Sequence, residues 1–233
     1  MGYELWVDMM SQPSRACAAF CAMNPQVGVA TKLVLIHKRE NRTPAYLEKN
    51  PMGTVPCLQV DGATPALVES CAILRKLARR PDVDAHWYRD NVERVDAALD
   101  WHHSAIRAGA ARLVWHRAMA PRLGAKMMPD CAKEAADRLE RSFKDLERFW
   151  LKDGDGPFVA GPKLTIADLV IACEIEQLCM LPPGDERTRY HESRADFPKV
   201  REFIRAVRST AGAPYVAVHR TLEKVASAAQ AKL

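Results

Sequence analysis

YELWVDMMSQPSRACAAFCAM, Tyr3 to Met23, changes its hydrophobic period halfway along, and that change decides the fold. Tyr3, Leu5 and Val7 alternate with Glu4, Trp6 and Asp8, the period of a half-buried strand. From Pro13 onward Ala16, Ala19, Phe20 and Met23 fall at i, i+3, i+4 and i+7, the stripe of an amphipathic helix. A strand that feeds a helix through DMMSQP opens an α/β unit, and Ser11 sits at the junction. Working outward, Leu33 to Ile36 is short and β-branched enough for a second strand, followed by the polar segment HKRENRTPAYLEKNPMG with turn residues at both ends. VPCLQVDG and ALVES read as two further strands around an Asp61-Gly62 hairpin turn. Ser70 is placed to cap the next helix, whose inward stripe is Ile73, Leu74 and Leu77. The order β-α-β, polar segment, β-β-α predicts a small α/β domain over residues 1–81.

Past Pro81 and a linker to about Tyr88 the periodicity is helical throughout. Asn91 to Ala120 and Pro129 to Leu151 are long periodic segments, the second with Leu139, Phe143, Leu146 and Trp150 on one face. After the turn-rich KDGDGPFVAGPK, Thr165 and Asp168 are spaced as a capping box and Leu164 and Leu169 as a hydrophobic staple, so a helix should start at Ile166. Pro182-Pro183-Gly184 should end it, with two shorter helices beginning near Pro198 and Pro214. Residues 89–233 are therefore expected to form an all-helical domain.

With 233 residues, the chain can bury a substantial core as one globule or two small domains. The net charge is +5, but Lys and Arg are mixed with Asp and Glu; the densest basic run, RKLARR from Arg75 to Arg80, reads as a solvated helix end. Nucleic acid is not an expected partner. No apolar stretch has bilayer-spanning length and no basic n-region precedes an apolar core, so the expectation is a soluble, non-secreted chain with no membrane partner. Seven cysteines at irregular spacing make no disulfide framework, which fits a reducing compartment; Cys17 and Cys21, four apart, read as core residues. Ala231, Lys232 and Leu233 end the chain in a close relative of the SKL peroxisomal address, so both cytoplasm and peroxisome fit.

Three constellations carry chemistry. Ser11 stands where a helix N-terminus offers free N–H groups and a positive dipole end, a favourable place for an anion. MMSQP lacks the glycines of a nucleophile elbow, which disfavours hydrolase chemistry; the plain alternative is a helix N-cap. NPMGTVPCL, residues 50 to 58, places Val55-Pro56 at the mouth of a strand, where a cis turn would leave the Val55 backbone to pair with an extended peptide. Glu69-Ser70, at the next helix start, offers a carboxylate for an ammonium and a hydroxyl and amide for a carboxylate. A γ-glutamyl tripeptide thiol has all three matching parts. His102-His103 suggest a metal, but adjacent residues on a helix point apart and no further ligands sit at metal spacing, so no metal is expected.

LWVDMMSQPSRA, NPMGTVPCL, the ES pair, WHHSAIRAGAARLVWHRAMAP and GPKLTIADL resemble, in order and spacing over nearly the whole chain, the theta class of glutathione S-transferases. The resemblance implies a thioredoxin-like N-terminal domain followed by an all-helical C-terminal domain, a homodimer, and glutathione as co-substrate. It places the thiol-activating serine at Ser11 and the cis-proline turn at Val55-Pro56, with Pro56, Thr165 and Asp168 structural. Glutathione contacts fall on Gln12, Asn41, Arg42, Thr54, Val55, Glu69 and Ser70, and the second-substrate pocket on Arg107 and Trp115. Thr54 stands where relatives commonly have Lys and Asn41 where they often have His; Arg42 aligns with a basic position that can supply the missing charge. The implied activity is conjugation of the glutathione thiolate to small electrophiles, with organic hydroperoxide reduction as a second activity. The alternative from another class is a non-catalytic ligand carrier or interaction scaffold on the same fold.

Overall fold

The computed structural model describes residues 2–152 and 155–230; the terminal tripeptide Ala231-Lys232-Leu233 and residues 153–154 of the KDGDG turn lie outside the described residues. β1 (Tyr3–Val7) leads into α1 (Gln12–Met23), and β2 (Val29–Leu33), α2 (Pro44–Lys49), β3 (Cys57–Val60), β4 (Leu67–Val68) and α3 (Ser70–Ala78) complete the first half. The sheet order is β2-β1-β3-β4, with β1 parallel to β2 and antiparallel to β3, and β4 antiparallel to β3. This four-stranded mixed sheet is the thioredoxin-like layer. Leu5, Val7, Ala16, Ala19 and Phe20 are buried, as the two periods require, and Cys17 and Cys21 lie in the same core.

The helical half contains α4 (Val92–Ser104), α5 (Ile106–Val114), α6 (Ala120–Arg122), α7 (Pro129–Asp145), α8 (Ile166–Glu176), α9 (Asp185–Arg187) and α10 (Pro198–Gln230). No described helix is long and apolar enough to cross a membrane. α5 and α7 approach so closely that a Cβ on Gly109 would stand 2.7 Å from the Leu139 backbone nitrogen. Leu139, Phe143, Leu146 and Trp150 all face the core. α8 is buried along its whole length and opens with the expected box: Thr165 N–H and Oγ1 donate to Asp168 Oδ2 at 2.7 and 2.6 Å, and Val159 N–H donates to Oδ1 at 2.8 Å. α1 packs on α8 and α10, so the two halves share one core.

Several expectations are corrected. The second strand runs Val29–Leu33, not Leu33–Ile36; as a sheet edge it is largely exposed, so its residues show no alternation to read. The β3–β4 connection spans residues 61–66, with Cys57 opposite Val68, and is longer than a two-residue hairpin turn around Asp61-Gly62. Ser70 is the first helical residue of α3; the cap position belongs to Glu69 at φ 68°. The segment Asn91 to Ala120 is not one helix: Ala105 at φ −106°, ψ −92° divides α4 from α5, and a π-helical turn covers Trp115–Met119. The expected helix starts at Pro198 and near Pro214 hold, since α10 is two helices divided by the non-helical Gly212 at φ 57°, ψ −143°. RKLARR is not simply solvated, because Arg75 donates to Asp96 at 2.6 Å and to Asp100 at 3.1 Å and ties α3 to α4.

Candidate active site

The segment between β1 and α1 is pinned from three sides. Asp8 Oδ1 accepts from Met10 N–H at 2.8 Å and Oδ2 from Ile36 N–H at 2.9 Å, while Ser11 N–H donates to the Asp8 carbonyl at 2.9 Å. From the far side Arg15, fully buried, donates to the Met9 carbonyl at 2.9 Å, to Gln177 Oε1 at 2.7 Å and to the Cys173 carbonyl at 3.2 Å. This guanidinium anchors the loop to α8 and the turn that follows it. Ser11 caps α1: its Oγ accepts from Ser14 N–H at 3.5 Å. A hydroxyl that accepts as a cap keeps its own proton to donate, so the cap role and an anion-stabilising role are compatible. Ser11 is half-buried, which leaves that proton accessible.

Beside this helix start lies a cleft of about 180 Å³ lined by Pro13, Thr54, Val55, Pro56, Glu69, Ser70, His102, His103 and Arg107. One wall comes from the sheet half and the other from α4 and α5. The Val55–Pro56 bond is cis, and Val55 lies just outside the β3 ladder. Glu69 is exposed with positive φ, a conformation that costs an L-residue about 1–3 kcal/mol and concentrates at functional sites. Ser70 is buried at the first turn of α3.

The structure brings Thr54, Val55, Pro56, Glu69 and Ser70 together, with Gln12 next to the lining residue Pro13. Asn41 is buried, and its amide donates to the Gly53 carbonyl at 2.7 Å, so it shapes the loop before the cis bond. Arg42 is exposed and reaches the Met52 carbonyl at 3.3 Å. Thr54 is held by its carbonyl, which accepts from Tyr46 OH at 2.7 Å and Asn50 Nδ2 at 2.8 Å. Arg107 lines the cleft with its guanidinium paired to the buried Glu174. Trp115 is 44% exposed in the π-turn and is absent from the cleft lining. Thr165 and Asp168 stand in the α8 capping box.

His102 and His103 were not expected here. Their ring centroids are 5.0 Å apart and both line the cleft, even though adjacent helix positions diverge. His102 Nε2 lies 3.4 Å from Glu174 Oε1, on the carboxylate that also holds Arg107. Burial raises the Glu174 pKa, but bonding and charge from His102 and Arg107 outweigh it and leave the carboxyl below its usual range. Burial, then His102 and Arg107, lower the His103 pKa, which leaves that ring neutral at neutral pH. The His-His pair was the available sequence signal; that the buried Cys71, next to the ES pair, lies within 4.8 Å of it could not be read from spacing.

Comparison with known proteins gives consistent results. The glutathione S-transferase N-terminal domain model matches residues 26–80 and the C-terminal domain model residues 123–212. Glutathione S-transferase T1 of Arabidopsis thaliana is 36% identical over 192 residues, 79% of this chain and 76% of that protein. Glutathione S-transferase T2 of the same plant is 36% identical over 189 residues, but the match spans only 32% of its length. A human theta-class glutathione transferase, solved in complex with the glutathione conjugate of 1-menaphthyl sulfate, superposes with a TM-score of 0.83 at 27% identity, covering 98% of this chain and 90% of that one.

Proposed function

The chain belongs to the glutathione S-transferase family, and from that premise we propose that it binds glutathione in this cleft and uses the Ser11 hydroxyl to keep the thiol ionised for attack on a small electrophile. The observation that carries the reading is the convergence of the α1 start, the cis Val55-Pro56 turn and the Glu69-Ser70 junction on one cleft. In this reading the Val55 backbone pairs with the extended peptide, Glu69 takes the γ-glutamyl ammonium, and Ser70 with the first turn of α3 takes the carboxylate. The sulfur then falls near the start of α1.

A free cysteine-type thiol, with a pKa near ~8.5, is only a few per cent ionised at neutral pH. Donation from the Ser11 hydroxyl, reinforced by the α1 dipole, favours the thiolate over the thiol. Ser11 is a donor and forms no covalent bond. The thiolate displaces a leaving group from carbon, giving a thioether. With a hydroperoxide it attacks oxygen and releases the alcohol; a second glutathione then converts the sulfenic acid to disulfide and water. A homodimer belongs to the same reading and rests on the family alone.

The test is the absorbance of bound glutathione thiolate against pH in the wild type and in Ser11→Ala. The thiol pKa should lie clearly below its free value in the wild type and return toward it in the variant, with kcat/KM falling roughly 10²–10³-fold. An unshifted thiol in both proteins would remove the serine from the mechanism.

A further inference from the structure

Two lining residues of the cleft, His102 and His103, converge with the buried Cys71, and none of the three has a part in the transferase reading. One ligand atom each from Cys71, His102 and His103 lies within 4.8 Å of the other two. We propose that Cys71, His102 and His103 form a binding site for a thiophilic divalent ion of the Zn2+ type, and that an ion held there blocks glutathione entry to the cleft. The blocking half rests on the function proposed above; the binding half does not. The ion would be a regulator rather than a cofactor, since nothing in thiol activation by Ser11 calls for a metal.

The orientation of His102 is the main support. Its ring is 1% exposed, Nε2 faces Glu174 Oε1 at 3.4 Å, and Nδ1 is buried with no hydrogen-bond partner among the described residues. A carboxylate that fixes the Nε2–H tautomer leaves Nδ1 with a free lone pair. This is the carboxylate–histidine arrangement that typically backs a metal-bound imidazole. A buried polar atom left unsatisfied costs about 1–3 kcal/mol, so the site holds a ligand position at some expense to the fold.

The donor set and the geometry agree. One thiolate and two imidazoles suit Zn2+, with Zn–S near ~2.3 Å and Zn–N near ~2.0–2.1 Å, which places tetrahedral ligand atoms about 3.5 Å apart. Closing from 4.8 Å therefore asks for roughly 1 Å of movement, and His103, which is exposed, is free to supply it. Cys71 is the second residue of α3; burial pushes its thiol up to about 11, and the Arg75 charge and the Ser70 hydrogen bond offset only part of that, so the ion must displace the proton of a thiol. On binding, the Cys71 S–H bond breaks, an S–metal bond forms and one proton goes to solvent. Glu69, Arg75 and Arg107 act on the thiol, and Glu69, Asp100 and Arg107 on His103, so cations and carboxylates both flank the site. A fourth ligand, water or the exposed Glu69 carboxylate, would come from the cleft side. The second choice would take away the carboxylate that the tripeptide's ammonium needs.

The experiment is Co2+ titration of the reduced full-length protein, followed spectroscopically and reversed with Zn2+. A tetrahedral d–d spectrum with a thiolate-to-cobalt charge-transfer band is expected in the wild type. Cys71→Ser should lose that band, and His103→Gln, at an exposed position that leaves folding intact, should weaken Co2+ by at least the roughly 10–100-fold that even an outer-sphere partner is worth. No sulfur band in the wild type, a band kept in Cys71→Ser, or unchanged affinity in His103→Gln would each overturn the site. S-methylglutathione, which lacks a thiol to chelate the ion, then tests blocking: its affinity should fall at least tenfold in saturating Zn2+, and an unchanged affinity would overturn that half. If S-methylglutathione fails to bind even without metal, the glutathione reading fails while the Co2+ result stands.

Discussion

From β1 to α3 the buried polar groups are mostly amides, hydroxyls and thiols, and even the two buried charges, Asp8 and Arg15, are held by backbone groups and one amide. From α4 to α10 the buried set includes Asp168, Glu174, Glu176, Arg187, Arg194, His102 and His219; Asp168 is held by backbone groups and a hydroxyl, but elsewhere charge meets charge: Glu174 with Arg107, Glu176 with Arg208 at 2.6 Å, Arg187 with Glu192 at 2.5 Å. The sheet half positions its candidate ligand groups, the Glu69 carboxylate among them, through backbone geometry that does not itself titrate. The helical half holds its shape with ionisable groups removed from water, where breaking one partner is expensive. The first arrangement keeps its shape across pH; the second makes a support that responds to pH.

The largest test of this contrast is Asp168→Ala. It strips the acceptor from Val159 N–H, Thr165 N–H and Thr165 Oγ1, all buried, and should cost about 3–5 kcal/mol in urea unfolding, with Asp168→Asn losing less. A loss under about 1 kcal/mol would show that the box is incidental to the helical half.

Acid sharpens the contrast further. Burial, then the Arg15 charge, push the His219 pKa down to about 4. The unfolded ring takes its proton near ~6.5, so the stability His219 confers is complete above that pH and is lost as pH falls toward 4. By pH 5 the loss is about 2 kcal/mol. Asp168, raised by burial to about 6, runs the other way: its folded form gains as pH falls from 6. The histidine share is therefore read as the difference in unfolding free energy between wild type and His219→Gln, at pH 7 and at pH 5. No change in that difference would contradict the assignment.

Glu69→Gly probes the sheet half with the smallest expected effect on stability. Glycine accepts the positive φ without penalty but loses more backbone entropy, so unfolding should shift by less than about 1 kcal/mol. Glutathione KM should rise about tenfold, as for one charge-assisted hydrogen bond. A stability loss with KM unchanged would make the strained residue a structural device.

Much of the sheet half was legible because its signals are local. The period change at Pro13, the proline after Val55 and the Glu69-Ser70 junction, like the Thr165/Asp168 box of the helical half, each depend on neighbours within a few residues. The misreadings have a shared cause in packing between distant segments. β2 is an edge whose exposed residues carry no alternation, and the break at Ala105 has no glycine or proline to announce it. Arg75 meets Asp96 and Asp100 only because α3 lies on α4, and that packing also brings Cys71 to the two histidines. Trp115 opens the π-helical turn after α5 and is exposed outside the cleft lining.

The most direct test is a solved complex with glutathione. The thiol sulfur is predicted to lie within hydrogen-bond reach of Ser11 Oγ, at the start of α1, with the tripeptide backbone against Val55 and its ammonium at Glu69. A sulfur turned away from Ser11 and contacted by another side chain would contradict the account.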